Sequence, residues 1–390
     1  MKRTTLALLT GLLLLPTAAA AQTGAGPTGA ADRADRTRAD SAAAEGAEIF
    51  LGAFRAIRNY HLEAYGDSAL WRKALEGLIQ ELDDPYATVF TPDEYSEFQE
   101  DNTGNYAGIG VTISRLNDLV TITAVFRGTP ADQVGLQVGD RIVGVNGSDA
   151  TDWSIDQASG RIRGRPGTTV DVEIARPGLG ESIPFTIRRD EVHVPAVTAE
   201  RITDDVAYIQ IDRVARSSAQ EVDSAIAELE GARGVILDLR RNPGGYLDEA
   251  LELSDLFLEP GQTLASARSR VPGSGGETRE ERWQARSPAR IPDLPIVVLV
   301  DEYTASAAEI LAGALQDHDR ALVMGERTFG KGVVQTLMRL PGNRRIRLTT
   351  GSWFTPLGRS LHRPRDREGR PVAESRDTFP TVVTASGREL

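Results

Sequence analysis

The chain has 390 residues, 40% hydrophobic and 26% charged, the mixture of a folded protein of two or three domains. Its 44 Lys+Arg against 56 Asp+Glu leave a net charge of −12, which argues against a nucleic-acid partner, because neutralising phosphates takes a surplus of cations. The absence of cysteine excludes a disulfide framework, a thiol nucleophile, thiolate metal ligands and a lipidated N-terminal Cys.

The first 21 residues read as an export signal. Lys2 and Arg3 precede the apolar run Leu6–Leu15, and Ala19 and Ala21 give a small-x-small cleavage pattern. The apolar run is short for a membrane span. The mature chain is therefore expected outside the cytoplasm, in the periplasm if the source is Gram-negative, and membrane-associated if the signal is retained. Residues 22–44 carry almost no large apolar side chain and read as a flexible tether.

Residues 45–103 have helical spacing. Ile49, Phe50, Phe54, Ile57 and Tyr60 form one stripe, and Leu70, Trp71, Leu75, Leu78, Ile79 and Leu82 a second. Asp83-Asp84-Pro85 stops that run, and Thr91-Pro92-Asp93-Glu94 starts a third helix. The region reads as a helical cap or a homodimerisation element, with no chemistry of its own.

Residues 104–190 switch to period two, with short strands at Val111, Leu119, Arg141 and Thr169. Gly108-Ile109-Gly110-Val111 is a glycine-bearing loop entering a strand. Thr129-Pro130-Ala131 opens a short helix, and Gly139-Asp140-Arg141-Ile142 leads into a strand and the turn Asn146-Gly147. This order resembles a PDZ domain, a small β-barrel. The resemblance implies that amides around Ile109, Gly110 and Val111 take the carboxylate of a peptide C-terminus, which joins the sheet as an added strand.

Residues 191–390 alternate strands and helices. Val206–Ile211, Gly234–Arg240 and Pro295–Val300 read as strands, the second nearly all apolar as for a sheet covered on both faces. Ser217–Leu229, Leu247–Leu258 and Ser306–Gln316 read as helices, and the polar Ser266–Arg290 as an exposed loop. The fold class is α/β, of the α+β multidomain kind.

In such sheets chemistry gathers beyond the carboxyl ends of strands. Two ends stand out: Arg241-Asn242-Pro243-Gly244-Gly245-Tyr246 and Asp301-Glu302-Tyr303-Thr304-Ala305-Ser306. Ser306 opens a helix, where it is either a helix cap or a nucleophile near free N–H groups. A serine nucleophile needs a base, and none of the four histidines has a suggestive setting. The chain's only lysines are Lys2, Lys73 and Lys331. Lys331 is thus an arginine-biased chain's exception, either a retained loop lysine or a site where arginine fails, because arginine does not deprotonate. Gly325–Lys331 also matches the start of a nucleotide-binding P-loop, but Gly332 replaces the metal-binding Ser or Thr and Val333–Leu340 alternates like a strand.

The segments Leu237–Leu247, Thr304–Asp317 and Gly325–Gln335 resemble the C-terminal processing peptidases, also called tail-specific proteases. The likeness runs from about Ile49 to about His362, with the PDZ domain inserted as in that family. It implies a serine protease with Ser306 as nucleophile, Lys331 as general base 25 residues later and Gln335 orienting the lysine. The oxyanion hole would be the N–H groups of Gly245 and Ala307. No metal or cofactor is implied. Expected partners are proteins or peptides with free C-termini, together with an adaptor protein. Thr304 and Ala308 replace two serines that the family usually has. The polar, Arg-rich stretch beyond Ser360 departs from the family, so the C-terminal end reads as divergent or incomplete. The competing class is a catalytically silent PDZ scaffold that holds tails for another protease. A dyad misaligned until the PDZ domain is occupied is a variant of the first reading.

Overall fold

The computed structural model describes residues 29–366, 370–372 and 381–390. The expected signal peptide lies outside them. The chain forms two compact units, one up to Leu75 and one from Glu76 to Leu390.

Helix α1 (Gly29–Tyr60) begins inside the segment read as a tether. Low hydrophobicity there argues against packing, whereas Ala, Arg and Glu are good helix formers. Helix α2 (Asp67–Gln80) follows. The helical stripe read from sequence is where the first unit packs: Phe54 is buried and stacks on Trp71 at 4.3 Å between ring centroids. No helix among the described residues is long and apolar enough to cross a membrane.

In the second unit β1 (Thr88–Phe90) precedes α3 (Pro92–Thr103). Thr91 caps α3 as expected: its Oγ1 accepts from Glu94 N–H at 3.3 Å, and its own N–H donates to Glu94 Oε2 at 2.8 Å. Then come β2 (Asn105–Gly108), β3 (Val111–Leu116), β4 (Leu119–Val125), α4 (Pro130–Gln133), β5 (Arg141–Val145), β6 (Ser148–Asp149), α5 (Ile155–Ile162), β7 (Thr169–Ala175), β8 (Ile183–Arg188) and β9 (Asp190–His193). Strands β3-β4-β5-β7-β8 form one sheet, with β6 on β5. Val170, Val172 and Ile174 point into its core, while Thr169, Asp171 and Glu173 face water. Buried Asp140 is held by Arg176 through bonds of 2.7 and 2.8 Å, which fixes the Gly139-Asp140 corner. The chain enters and leaves this domain through the antiparallel pair β2–β9.

The remainder comprises β10 (Val197–Thr203), β11 (Val206–Ile211), α6 (Ser218–Glu228), β12 (Gly234–Asp238), α7 (Leu247–Asp255), β13 (Thr263–Arg270), β14 (Thr278–Gln284), β15 (Ile296–Val300), α8 (Ala307–Asp317), β16 (Ala321–Gly325), β17 (Val333–Arg339) and β18 (Arg345–Phe354). One sheet has the order β10-β11-β12-β15-β16, parallel from β11 to β16. Its core includes Ile209, Ile211, Leu237 and Val298, packed with Leu253 of α7 and Leu311 of α8. A second sheet runs β1-β18-β13-β14, with β17 on β18. Strand β17 starts two residues after Lys331, where a P-loop would continue as a helix.

Ser266–Arg290 is not the loop expected from its polarity. Most of it is the β13–β14 hairpin, with Arg268 facing Glu280 across the strands. Ala265 and Ala267 are buried beneath it, while the other face carries charge, so an antiparallel strand with one wet face has the composition of a loop. Leu237 is fully buried at the centre of the parallel sheet. Leu237→Ala should lower unfolding stability by about 2–5 kcal/mol, read from chemical denaturation.

Candidate active site

The carboxyl ends of β12 and β15 are laced together. Asp301 Oδ1 accepts from the N–H of Arg241 at 2.9 Å, and Ala305 N–H donates to Asn242 O at 2.9 Å. Thr304 is fully buried, and its Oγ1 donates to Leu239 O at 2.8 Å. Thr304 is therefore a tie between the two strand ends.

Gly244 and Gly245 are pressed against the start of α8. A Cβ on Gly244 would lie 2.8 Å from Ala307 N and 2.9 Å from Ser306 Cβ. Gly245 has φ +154°, and a Cβ there would meet Val214 O at 2.0 Å, so only glycine fits. Neither Gly245 N–H nor Ala307 N–H has a hydrogen-bond partner among the described residues. Two free donors from separate strand ends thus flank Ser306, at the positive end of the α8 dipole.

Ser306 has φ +55° and ψ −116°, a conformation costing about 1–3 kcal/mol for a non-glycine residue. Glu309, one turn into α8 and fully buried, holds it there. Its Oε2 accepts from the N–H of Ser306 at 2.6 Å and of Lys331 at 2.9 Å. Its Oε1 accepts from Thr328 Oγ1 and Gly330 N–H, both at 2.7 Å. Burial pushes the carboxyl up and the four donors pull it back. Burial is the larger influence, so the carboxyl sits above its ordinary range.

Ser306, Ala307, Gly245, Lys331 and Gln335 line one cleft of about 400 Å³. Lys331 is part-buried, and its Nζ lies 5.1 Å from the centroid of the Tyr86 ring. Burial, and then the charge of Arg347, lower its pKa to about 8, against the opposite pull of Glu309 and Asp84. Among the described residues no hydrogen bond joins Lys331 Nζ to Ser306 or to Gln335. Gln335 Nε2 instead donates to Tyr86 O at 2.9 Å, which leaves its Oε1 free to accept. Ile310, Leu247, Val334 and Trp353 supply apolar walls.

Sequence reasoning missed several cleft residues. Glu309 stands at the Ser-x-x-Glu spacing of a capping box, a signal that could have found it. Phe98 and Arg347, which line the cleft, and Tyr86, which touches Lys331 and Gln335 from behind it, carry no local signal and are brought in around the β1–β18 pairing. The stretch before the PDZ region, read as free of chemistry, therefore does reach the cleft.

Ile109 and Val111 line a second groove of about 610 Å³, with Ile113, Ile155 and Ile162, while Gly110 between them is not among its lining residues. Gly110 has φ +90°, and a Cβ there would fall 2.3 Å from the Thr129 side chain. The hydroxyl of Tyr106 lies 3.5 Å from Val111 O at the groove's end.

Two family models match the chain. The model of peptidase family S41 matches residues 205–366, and that of the PDZ domain matches residues 121–176. A carboxy-terminal processing protease CtpA of Bacillus subtilis is 34% identical over 313 residues, covering 80% of this chain and 66% of that one. A probable CtpA-like serine protease of Staphylococcus epidermidis is 32% identical over 337 residues, covering 85% of this chain and 67% of that one. The solved structure of a photosystem II D1 C-terminal processing protease aligns at 24% identity and TM-score 0.45, covering 80% of this chain and 89% of that one. The chain belongs to peptidase family S41, among its CtpA-like serine proteases. It spans about two thirds of the length of the curated relatives it matches.

Glu309→Gln tests the brace without reference to catalysis. One of the two acceptor oxygens becomes an amide nitrogen, so one donor pair loses its acceptor at a cost of about 1–3 kcal/mol. The expected result is a folded protein in which either the Gly330 amide or the Ser306 and Lys331 amides exchange hydrogen faster, according to which oxygen is replaced, read residue by residue by hydrogen exchange.

Proposed function

We propose that this chain is an exported serine endopeptidase that recognises protein C-termini through its PDZ domain and cleaves by a Ser/Lys dyad. One observation carries the reading: a strained serine, two free N–H donors and a part-buried lysine meet in one cleft, with serine and lysine backbones tied to the same carboxylate. Residues 1–21 serve as the signal peptide, and substrates are polypeptides whose unstructured tails fit the PDZ groove.

The chemistry follows from the groups present. Neutral Lys331 takes the proton of Ser306 Oγ as the oxygen attacks the scissile carbonyl carbon. Lys331 Nζ must first leave the Tyr86 ring and swing to Ser306, a tightening common when substrate fills an empty site. The tetrahedral oxyanion accepts hydrogen bonds from Gly245 N–H and Ala307 N–H. The Lys331 ammonium then protonates the leaving amine as the C–N bond breaks. Water hydrolyses the ester by the same route in reverse, with Lys331 again as base. Gln335, which lines the same cleft, accepts from Lys331 through its Oε1 and holds it on line in this reading.

Two outcomes test the dyad. Ser306→Ala and Lys331→Arg should each abolish cleavage of an unstructured protein while the fold survives, since arginine keeps the charge but supplies no base. Retained activity in either variant sinks the mechanism.

A pH profile of kcat/KM gives a further check. Lys331 is a base only when unprotonated, so activity should rise as pH climbs through about 8 and be lost as the amine protonates below it. For the PDZ groove, amidating a substrate's C-terminal carboxylate should weaken binding, measured by fluorescence anisotropy of a labelled tail. Tight tail binding with no cleavage by the unaltered protein would favour the silent scaffold.

A further inference from the structure

The cleft holds a second cation. Arg347 on β18 lines it beside Lys331 and Gln335. Its Nε donates to Tyr86 O at 3.3 Å, the same carbonyl that receives Gln335. Its guanidinium lies 5.3 Å from the ring centroids of both Phe90 and Phe98. These contacts pin the group from β1 and α3 and keep it from swinging to water.

Neither cation has a carboxylate in direct contact, although Glu309 and Asp84 act on Lys331, and Asp84 on Arg347, from further away. Among the described residues no carboxylate forms an ion pair with Arg347 or Lys331. Asp84 is committed elsewhere: its oxygens accept from Thr349 N–H and Thr349 Oγ1, both at 3.1 Å, and from Tyr86 N–H at 3.0 Å. Glu309 is committed to its four donors. The charged groups facing Lys331 are therefore Arg347 from β18, Glu309 from α8 and Asp84 from the loop before β1, with Arg365 beyond the Tyr86 ring.

We propose that Arg347 is a positioning residue for the reaction: a pinned guanidinium that makes Lys331 the member of the cation pair that gives up its proton. The proposal rests on the reading of Lys331 as general base. Two like charges in one part-buried cleft repel at low effective dielectric. A guanidinium cannot relieve this by losing a proton, whereas an amine can. The lowered pKa of Lys331, to which Arg347 is the charge that adds most, agrees with that geometry.

The test uses the scarcity of lysine. With 13Cε-labelled lysine, the full chain gives at most three lysine resonances, and Lys331→Arg assigns the one of interest. Arg347→Met keeps the packing against Phe90 and Phe98 and removes the charge; Arg347→Gln is the polar alternative should that variant fold poorly. The Lys331 titration midpoint is expected to rise by about one pH unit or more in either variant. The acid limb of kcat/KM should move with it, so that a limb displaced by about one pH unit lowers activity at pH 7 about tenfold. Arg347→Lys should return both towards their original positions. An unmoved Lys331 midpoint overturns the proposal, as does a profile lowered at every pH with its limb in place, which is what a structural role alone produces. A midpoint that moves while the limb stays supports the charge coupling and sinks the assignment of Lys331 as base.

Discussion

The site depends on one carboxylate. Glu309 receives the backbone of Ser306, at the start of α8, and of Gly330 and Lys331, in the loop before β17. Those two segments hang from different sheets, since β16 ends the parallel one and β17 joins the antiparallel one. Without a shared acceptor, each would have to satisfy its N–H groups alone inside a buried region. With it, the strained Ser306 backbone and the lysine-bearing loop have a common origin, and their separation is set by the geometry of one side chain.

Much of this was legible in the sequence, for physical reasons. The parallel strands are covered on both faces, so β12 and β15 read as continuous apolar runs. Thr91-Pro92 and Asn146-Gly147 announce a helix start and a turn through chemistry that few other residues supply. The Ser306 helix and the Lys331 loop were visible because a serine opening a helix after an apolar strand and a rare lysine in an arginine-biased chain are local facts. The hairpin β13–β14 was not legible, because its strands carry arginine and glutamate on the wet face and bury mostly small residues, Ala265 and Ala267 beside Leu264. Tyr86, Phe98 and Arg347 were hidden for another reason. The pairing of Phe90 with Arg345 joins residues on opposite sides of the whole PDZ segment, and no periodicity records such a contact.

The aromatic cluster explains how a guanidinium can be kept part-buried. Phe90, Tyr95 and Phe98 present ring faces to Arg345 and Arg347, with Arg345 4.8 Å from the Tyr95 centroid. Such contacts replace part of the lost hydration without cancelling the positive charge. A carboxylate in their place would neutralise the cation and remove its influence on its neighbours. The choice between a ring and an acid is thus an electrostatic choice about the cleft.

The narrow neck formed by β2 and β9 has a modular consequence. Adjacent strands lie about 4.8 Å apart, so the PDZ module begins and ends within one strand spacing. To the surrounding chain it occupies the place of a hairpin turn. A module with termini that close can be deleted, duplicated or exchanged for another with little effect on the path of the host chain. The PDZ module and the peptidase core are therefore separable units of evolution and engineering, joined at a single two-stranded port.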